Sequence, residues 1–392
     1  MNIHLVYTAN ALALSGPVNP AKGDRGRIAG YSRRQDSMGG KTAFTGGRSM
    51  KPTLGILLGE ATGIGPEIVA KLCARNTFTH YCRPVLIGDT RVLEIGKKIA
   101  GVDFPIRVIK NVSEVQSDRP IPILDQRNLN LRKTRLGKID PTSGRATGET
   151  LITALKLCQS GAIDGFVFAP LNKAALRHGG YDFKDEHRLF AHYLKWPGLY
   201  GEMNVVGTLW TSRVTSHIPL KEVASHLSIE NVLTAIRLAH ATLIRAGFAQ
   251  PRIAVAALNP HSGDQGLCGR EEIDIIGPAV QRAQVGGINA VGPLPADTIF
   301  VQAFRGSYDA VTSMYHDQGQ IAIKLWDFES TVTVSAGLPY PIATPSHGTA
   351  FDIVGKGVAK TGAMEKAVII CSQMAIRGQH ENRRSNCYEP RT

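Results

Sequence analysis

A chain of 392 residues with 43% apolar and 20% charged side chains has the make-up of a globular protein large enough for two domains, which excludes a disordered or low-complexity chain. No run of about 18 apolar residues occurs, so a membrane-spanning helix is excluded on length. The formal net charge is +13, but the first 49 residues hold seven Lys/Arg against two Asp, and the remainder is scattered without a block of five or six basic residues; this fits attraction of a small anionic substrate and not nucleic acid as a partner.

In chain order, residues 1–49 form a Gly-, Ser- and Arg-rich leader whose short apolar stretch near Leu12 lacks the charged start of a secretory signal. It is expected to be disordered, either as a transit-like segment or because translation starts at Met50. A strand over Leu54–Leu58 then enters a glycine-rich turn, Gly59–Gly65, and Pro66 opens a helix with Ile68, Val69, Leu72 and Cys73 on one side. The turn lacks both Gly-Lys-Ser/Thr and G-x-G-x-x-G, so neither phosphate-loop motif is present. Gly148–Ser160 predicts a helix burying Leu151, Ile152, Leu155 and Leu157, and Gly165–Ala169 predicts the next strand. Further strand-like runs are Arg213–His217, Ile253–Leu258 and Ala310–Tyr315, and a polar tail follows from Gly378. Strands alternating with helices of this length imply an α/β fold, a parallel-rich sheet covered by helices on both faces. The six cysteines (Cys73, Cys82, Cys158, Cys268, Cys371 and Cys387) contain no C-x-x-C pair and read as free thiols of a reducing, cytoplasmic compartment.

Three histidines fall at or just beyond strand ends: His217, His261 after Asn259-Pro260, and His316 before Asp317. Ligands of α/β proteins bind outside the carboxyl ends of strands, and converging neutral imidazoles suit Zn²⁺ or a similar divalent ion. Spacing alone leaves open the commoner alternative, hydrogen-bonded loop histidines. In Ser346–Gly357 the glycines admit a closely approaching ligand, and Asp352 could accept hydrogen bonds from a ribose diol; a surface turn is the other reading. Lys173 and Lys324 follow apolar runs and gain meaning only from what comes next.

Asn259-Pro-His-Ser-Gly, Gly292-Pro-Leu-Pro-Ala-Asp-Thr, Met314-Tyr-His-Asp-Gln-Gly and His347-Gly-Thr-Ala, in that order, resemble the 4-hydroxythreonine-4-phosphate dehydrogenase family of vitamin B6 synthesis, from about Met50 to Ala375. The His347 stretch is also similar to the cofactor loop of isopropylmalate dehydrogenases. The resemblance implies a two-domain isopropylmalate/isocitrate-dehydrogenase-like fold. Residues 50–180 with 335–377 would form the cofactor-side domain, 181–334 the metal, substrate and dimer-interface domain, and 378–392 a tail. It implies a homodimer with interfacial active sites and one divalent ion (Zn, Mg, Mn or Co) on His217, His261 and His316. NAD would lie at His347, Gly348, Asp352 and Ile353, the Asp352 carboxylate favouring it over NADP. Substrate would meet Lys324 and His187, with Lys173 and Asp297 as proton-transfer candidates.

The family's substrate Asn and Arg fall here on Thr333 and Ile342, and an isoleucine cannot replace a guanidinium fork. Arg188 is the candidate replacement for the lost anion contact. The expected activity is metal-dependent, NAD-linked oxidation of 4-hydroxythreonine-4-phosphate or a related small hydroxylated acid, with or without decarboxylation. The alternatives are a cis-dihydrodiol dehydrogenase of an aromatic carboxylate, a metal hydrolase, and a binding protein that has lost catalysis.

Overall fold

The computed structural model describes residues 51–115 and 117–386, with side chains as far as 378; the leader, and the expectation that it is disordered, lie outside the described residues. The strands are β1 (Thr53–Leu57), β2 (Arg83–Gly88), β3 (Ile106–Ile109), β4 (Ile121–Asp125), β5 (Gly165–Phe168), β6 (Gly201–Val206), β7 (Leu209–Arg213), β8 (Ile253–Ala256), β9 (Ala290–Leu294), β10 (Ala310–Ser313), β11 (Val332–Ala336) and β12 (Ile342–Pro345). They form one mixed sheet in the order β3-β4-β2-β1-β5-β12-β11-β6-β7-β10-β8-β9. Its two wings are parallel, and the middle, β12-β11-β6-β7, is antiparallel.

The parallel strands β1, β2, β5, β8 and β10 are buried on both faces, which is why they read as nearly continuous apolar runs. In β1, Leu54 and Ile56 join one core cluster while Leu57 joins another. In β5, Val167 faces the first, and Phe166 and Phe168 pack edge-on against Phe190 in the second. The expected α/β class is therefore present.

The helix after the glycine turn runs Gly65–Ala74 with Pro66 in its first turn, and Ile68, Val69, Leu72 and Cys73 are all buried. The helix expected from Gly148 instead begins at Pro141 and runs to Gln159. Asp140 caps it, accepting from the Thr142 and Ser143 amides at 2.7 and 3.1 Å. Its buried face is Leu151, Ala154, Leu155 and Cys158, while Ile152 and Leu157 are only half-buried. Its first turns lack apolar periodicity because contact there is backbone to backbone: a Cβ on Gly144 would lie 1.8 Å from the Ala175 carbonyl oxygen of the helix Lys173–His178.

Two further expectations need correction. The strand expected at Arg213–His217 is β7, which ends at Arg213 and leaves His217 in a bend with φ 55°. Lys324 does not follow a strand: it lies on the helix His316–Asp327. The last helix spans Gly362–Asn386 and so continues into the polar segment. Among the described residues no helix is long and apolar enough to cross a membrane, and five cysteines are free thiols.

Candidate active site

A cleft of about 240 Å³ opens beyond β5, β12 and the antiparallel middle of the sheet, with Lys173, His187, His217, His316, Lys324 and Thr333 on its wall and His347–Gly348 at its rim. Each element aims its residue by a local device. Asn172 accepts the Ala175 amide at 2.9 Å, starting a helix whose first residue is Lys173; Asp185 accepts the Arg188 amide at 2.9 Å, starting Glu186–Leu194, which carries His187. His316, Gln320 and Lys324 are spaced by four on one helix and so share a face. Lys173 Nζ lies 3.4 Å from Glu186 Oε2, whereas Lys324 has no ionic partner among the described residues.

Behind the cleft lies a buried polar hub that sequence reasoning missed. Asn204, 1% exposed, donates through Nδ2 to Thr333 Oγ1 (2.9 Å) and Ser346 Oγ (3.3 Å), and its Oδ1 accepts from Arg213 Nη1 (2.8 Å) and Gln320 Nε2 (2.5 Å). Arg213 also pairs with Glu202 at 2.8 Å. Burial pulls the Glu202 carboxyl up, but His187, 3.8 Å away, and Arg213 outweigh it and hold the group well below the usual carboxylate range. His187 is fixed on its other side by Ser335, Nδ1 to Oγ 2.8 Å. Gln320 had a readable signal, its position midway between His316 and Lys324. A single buried Asn in β6 had none.

Of the three histidines, the fold brings two together. The His217 and His316 rings lie 5.5 Å apart between centroids, a separation two imidazoles on one cation would have. Burial, and next the Lys173 charge, push His217 below the ordinary imidazole value, favouring its neutral, ligating form. His316 Nδ1 sits 2.6 Å from Asp317 Oδ1, which leaves Nε2 free and resembles the outer partner of many metal-bound histidines. His261 does not join them in one chain. It is exposed on Pro260–Gly266, where residues 261–265 all have positive φ and Glu272 accepts the Leu258 and Asn259 amides at 2.8 Å. Among the described residues no three His, Cys, Asp or Glu side chains are grouped to hold an ion. Two imidazoles thus fit a divalent ion, and among the described residues no third His, Cys, Asp or Glu joins them.

The remaining candidates divide. Arg188 lines a neighbouring cleft that shares His187, Glu202 and His217 with the first, and its Nε is 3.6 Å from Asp185. Asp297 is exposed on the helix Ala296–Phe304 and lines neither cleft. Ile342 is fully buried in β12 against Phe166. Gly348 faces open space, Ile353 packs against the core, and the exposed Asp352 has no hydrogen-bond partner among the described residues. An open glycine beside an exposed, unpartnered carboxylate suits a ribose-bearing cofactor. The glycine turn braces this loop: the Ile64 amide donates to the Thr349 carbonyl at 3.2 Å, and Lys71 Nζ donates to the Gly357 and Ala359 carbonyls at 2.8 Å. Within the turn, burial raises the Glu60 carboxyl to about 7, opposed by the Thr62 hydroxyl, which donates to Glu60 Oε1 at 3.3 Å.

The family described as "Pyridoxal phosphate biosynthetic protein PdxA" matches residues 80–371. A Pseudomonas aeruginosa protein named "Putative 4-hydroxythreonine-4-phosphate dehydrogenase 2" is 47% identical over 84% of this chain and 98% of its own length. "D-threonate 4-phosphate dehydrogenase" of Cupriavidus necator is 38% identical over 83% and 98%. Among solved structures, a 4-hydroxythreonine-4-phosphate dehydrogenase from Burkholderia phymatum superposes with TM-score 0.71 at 37% identity, covering 83% of this chain and 98% of that one.

Proposed function

The chain belongs to the PdxA family of pyridoxal phosphate biosynthetic proteins, and on that premise we propose that it is an NAD-linked, divalent-metal-assisted dehydrogenase of a small phosphorylated hydroxy acid. The observation that carries this is the meeting of His217, His316, His187, Lys173 and an unpaired Lys324 in one cleft, with the His347–Gly348 loop at its rim. The relatives named for 4-hydroxythreonine-4-phosphate and D-threonate 4-phosphate act, by those names, on short hydroxylated acids bearing one phosphate.

His217 and His316 would hold the ion, and an exposed His261 from a second copy of the chain would complete its ligands, which makes the enzyme a homodimer with shared sites. When bound, the ion supplies Lewis-acid stabilisation of the charge developing on the substrate hydroxyl, and NAD supplies the hydride acceptor. The chain's own residues orient and charge the pocket. Lys324 would anchor an anionic substrate oxygen and Lys173 would exchange a proton with it, while Ser335 and Glu202 hold the His187 ring. Arg188 adds an anion contact from the adjoining cleft. The cofactor half is residues 50–180 with 335–377, and the metal and substrate half is 181–334.

A second reading, oxidation of a carboxylated cis-dihydrodiol, is favoured by the burial of Ile342 in the core: if the family's Arg falls there, as the resemblance implies, that phosphate contact would be lost. Dialysis against a chelator tests the main reading. NADH formation should vanish and return with Zn²⁺, Mg²⁺ or Mn²⁺, and NAD alone should raise the melting temperature. Full turnover after metal removal would contradict it, and NAD protection without turnover on any substrate would indicate a binding protein.

A further inference from the structure

We propose that the segment 130–138, whose four cations are exposed, is a clamp for the pyrophosphate of the dinucleotide, an assignment that rests on reading the His347–Gly357 loop as the cofactor loop. Arg132, Lys133, Arg135 and Lys138 are all exposed, and none has an ionic partner among the described residues. What sets the segment apart is the spacing of its cations, four of them between positions 132 and 138 with no carboxylate interleaved. Four like charges within seven residues repel one another, and a polyanion seated among them relieves that repulsion.

The segment is shaped and anchored. Asn130 Oδ1 accepts the Arg132 amide at 3.2 Å, and the Asn130 carbonyl accepts the Lys133 amide and the Thr134 hydroxyl at 3.0 Å. Gly137, with φ +72°, donates its amide to the Thr62 carbonyl at 2.8 Å, and a Cβ there would lie 3.4 Å from the Phe351 carbonyl oxygen. Thr62 adjoins Gly63, which packs against Thr349. The basic segment, the glycine turn and the loop bearing Asp352 therefore form one continuous rim. Its chemistry divides between a carboxylate suited to sugar hydroxyls and repelling phosphate, and four cations suited to phosphate oxygens through charge-assisted hydrogen bonds. The flanking Leu136 and Ile139, 45% and 52% exposed, offer apolar surface to a nucleoside.

The test titrates the full-length protein calorimetrically with ADP-ribose, its 2′-phosphate, adenosine, NADH and polyuridylate. Arg132→Ser, Lys133→Ser, Arg135→Ser and Lys138→Ser combined should weaken ADP-ribose and its 2′-phosphate equally, by about 30-fold or more, with adenosine unchanged. The charge-keeping pair Arg132→Lys and Arg135→Lys should stay within about threefold, and added salt should weaken ADP-ribose more in the wild type than in the fourfold variant. Because the four side chains are exposed, an unchanged melting temperature verifies folding. Unaltered ADP-ribose affinity in the fourfold variant overturns the clamp, and so does a loss confined to the 2′-phosphate form. So does a loss confined to polyuridylate, which would make the segment an RNA contact. A wild type that binds neither ADP-ribose nor NADH instead removes the cofactor reading itself.

Discussion

Glu60 gives the fold a pH dependence that one substitution isolates. The residue is fully buried within the glycine turn, its amide bonded to the Pro170 carbonyl at 3.0 Å, and burial raises its carboxyl from 4.5 to about 7. Between those values the folded state keeps a proton that the unfolded chain has released. Stability therefore falls as pH rises through the window, and levels off above about pH 7. At about 1.4 kcal/mol per unit the loss amounts to about 3 kcal/mol. Glu60→Gln keeps the shape and cannot ionise. It should match the wild type near pH 4.5 and exceed it by about 3 kcal/mol at pH 8, read from urea unfolding midpoints across that range. Other groups titrate equally in both proteins, so the difference between them reports Glu60. A difference constant with pH, or one that reverses sign above pH 7, would refute the reasoning.

Lys324→Met should reduce kcat/KM by about 10- to 150-fold, the worth of one hydrogen bond to a charged group, with little change in melting temperature; a change under twofold would remove Lys324 from the site. Asn204→Leu leaves Arg213, Gln320 and Thr333 without a shared partner, and should cost about 3 kcal/mol or more in chemical unfolding; near-neutral stability would show that the hub is not structural. Ile342→Arg puts a guanidinium at a core position and should fail to fold instead of restoring a phosphate contact. A soluble Ile342→Arg protein with tighter phosphate binding would show that β12 faces substrate.

What could be read from the sequence was whatever depends on periodicity or on residue type at a chain landmark. The strand before the glycine turn and the helix Gly65–Ala74 follow from an apolar run, a turn and a proline. The first two turns of Pro141–Gln159 did not, because Gly144 and Gly148 are set by close approach to Ala175 and Tyr181, a tertiary constraint without a local pattern. Lys324 stands out in the sequence as a site candidate but its element does not, since Gln320-Ile-Ala-Ile suits a short strand as well as the helix it forms. His217 and His316 meet, but the hub of Asn204, Glu202 and Arg213 lies on β6 and β7, whose antiparallel pairing brings it behind the cleft. That pairing, and the exposed position of His261 on its left-handed turn, depend on long-range contacts that spacing does not encode.

The most direct measurement is NADH absorbance with the metal-loaded protein on 4-hydroxythreonine-4-phosphate, D-threonate 4-phosphate and a carboxylated cis-dihydrodiol. It should be run on the wild type and on His217→Ala, His316→Ala and His261→Ala. Turnover of a phosphorylated acid, lost in each histidine variant and partly recovered when His316→Ala and His261→Ala chains are mixed, is the predicted result. Turnover that survives all three substitutions, or is confined to the dihydrodiol, would contradict the account.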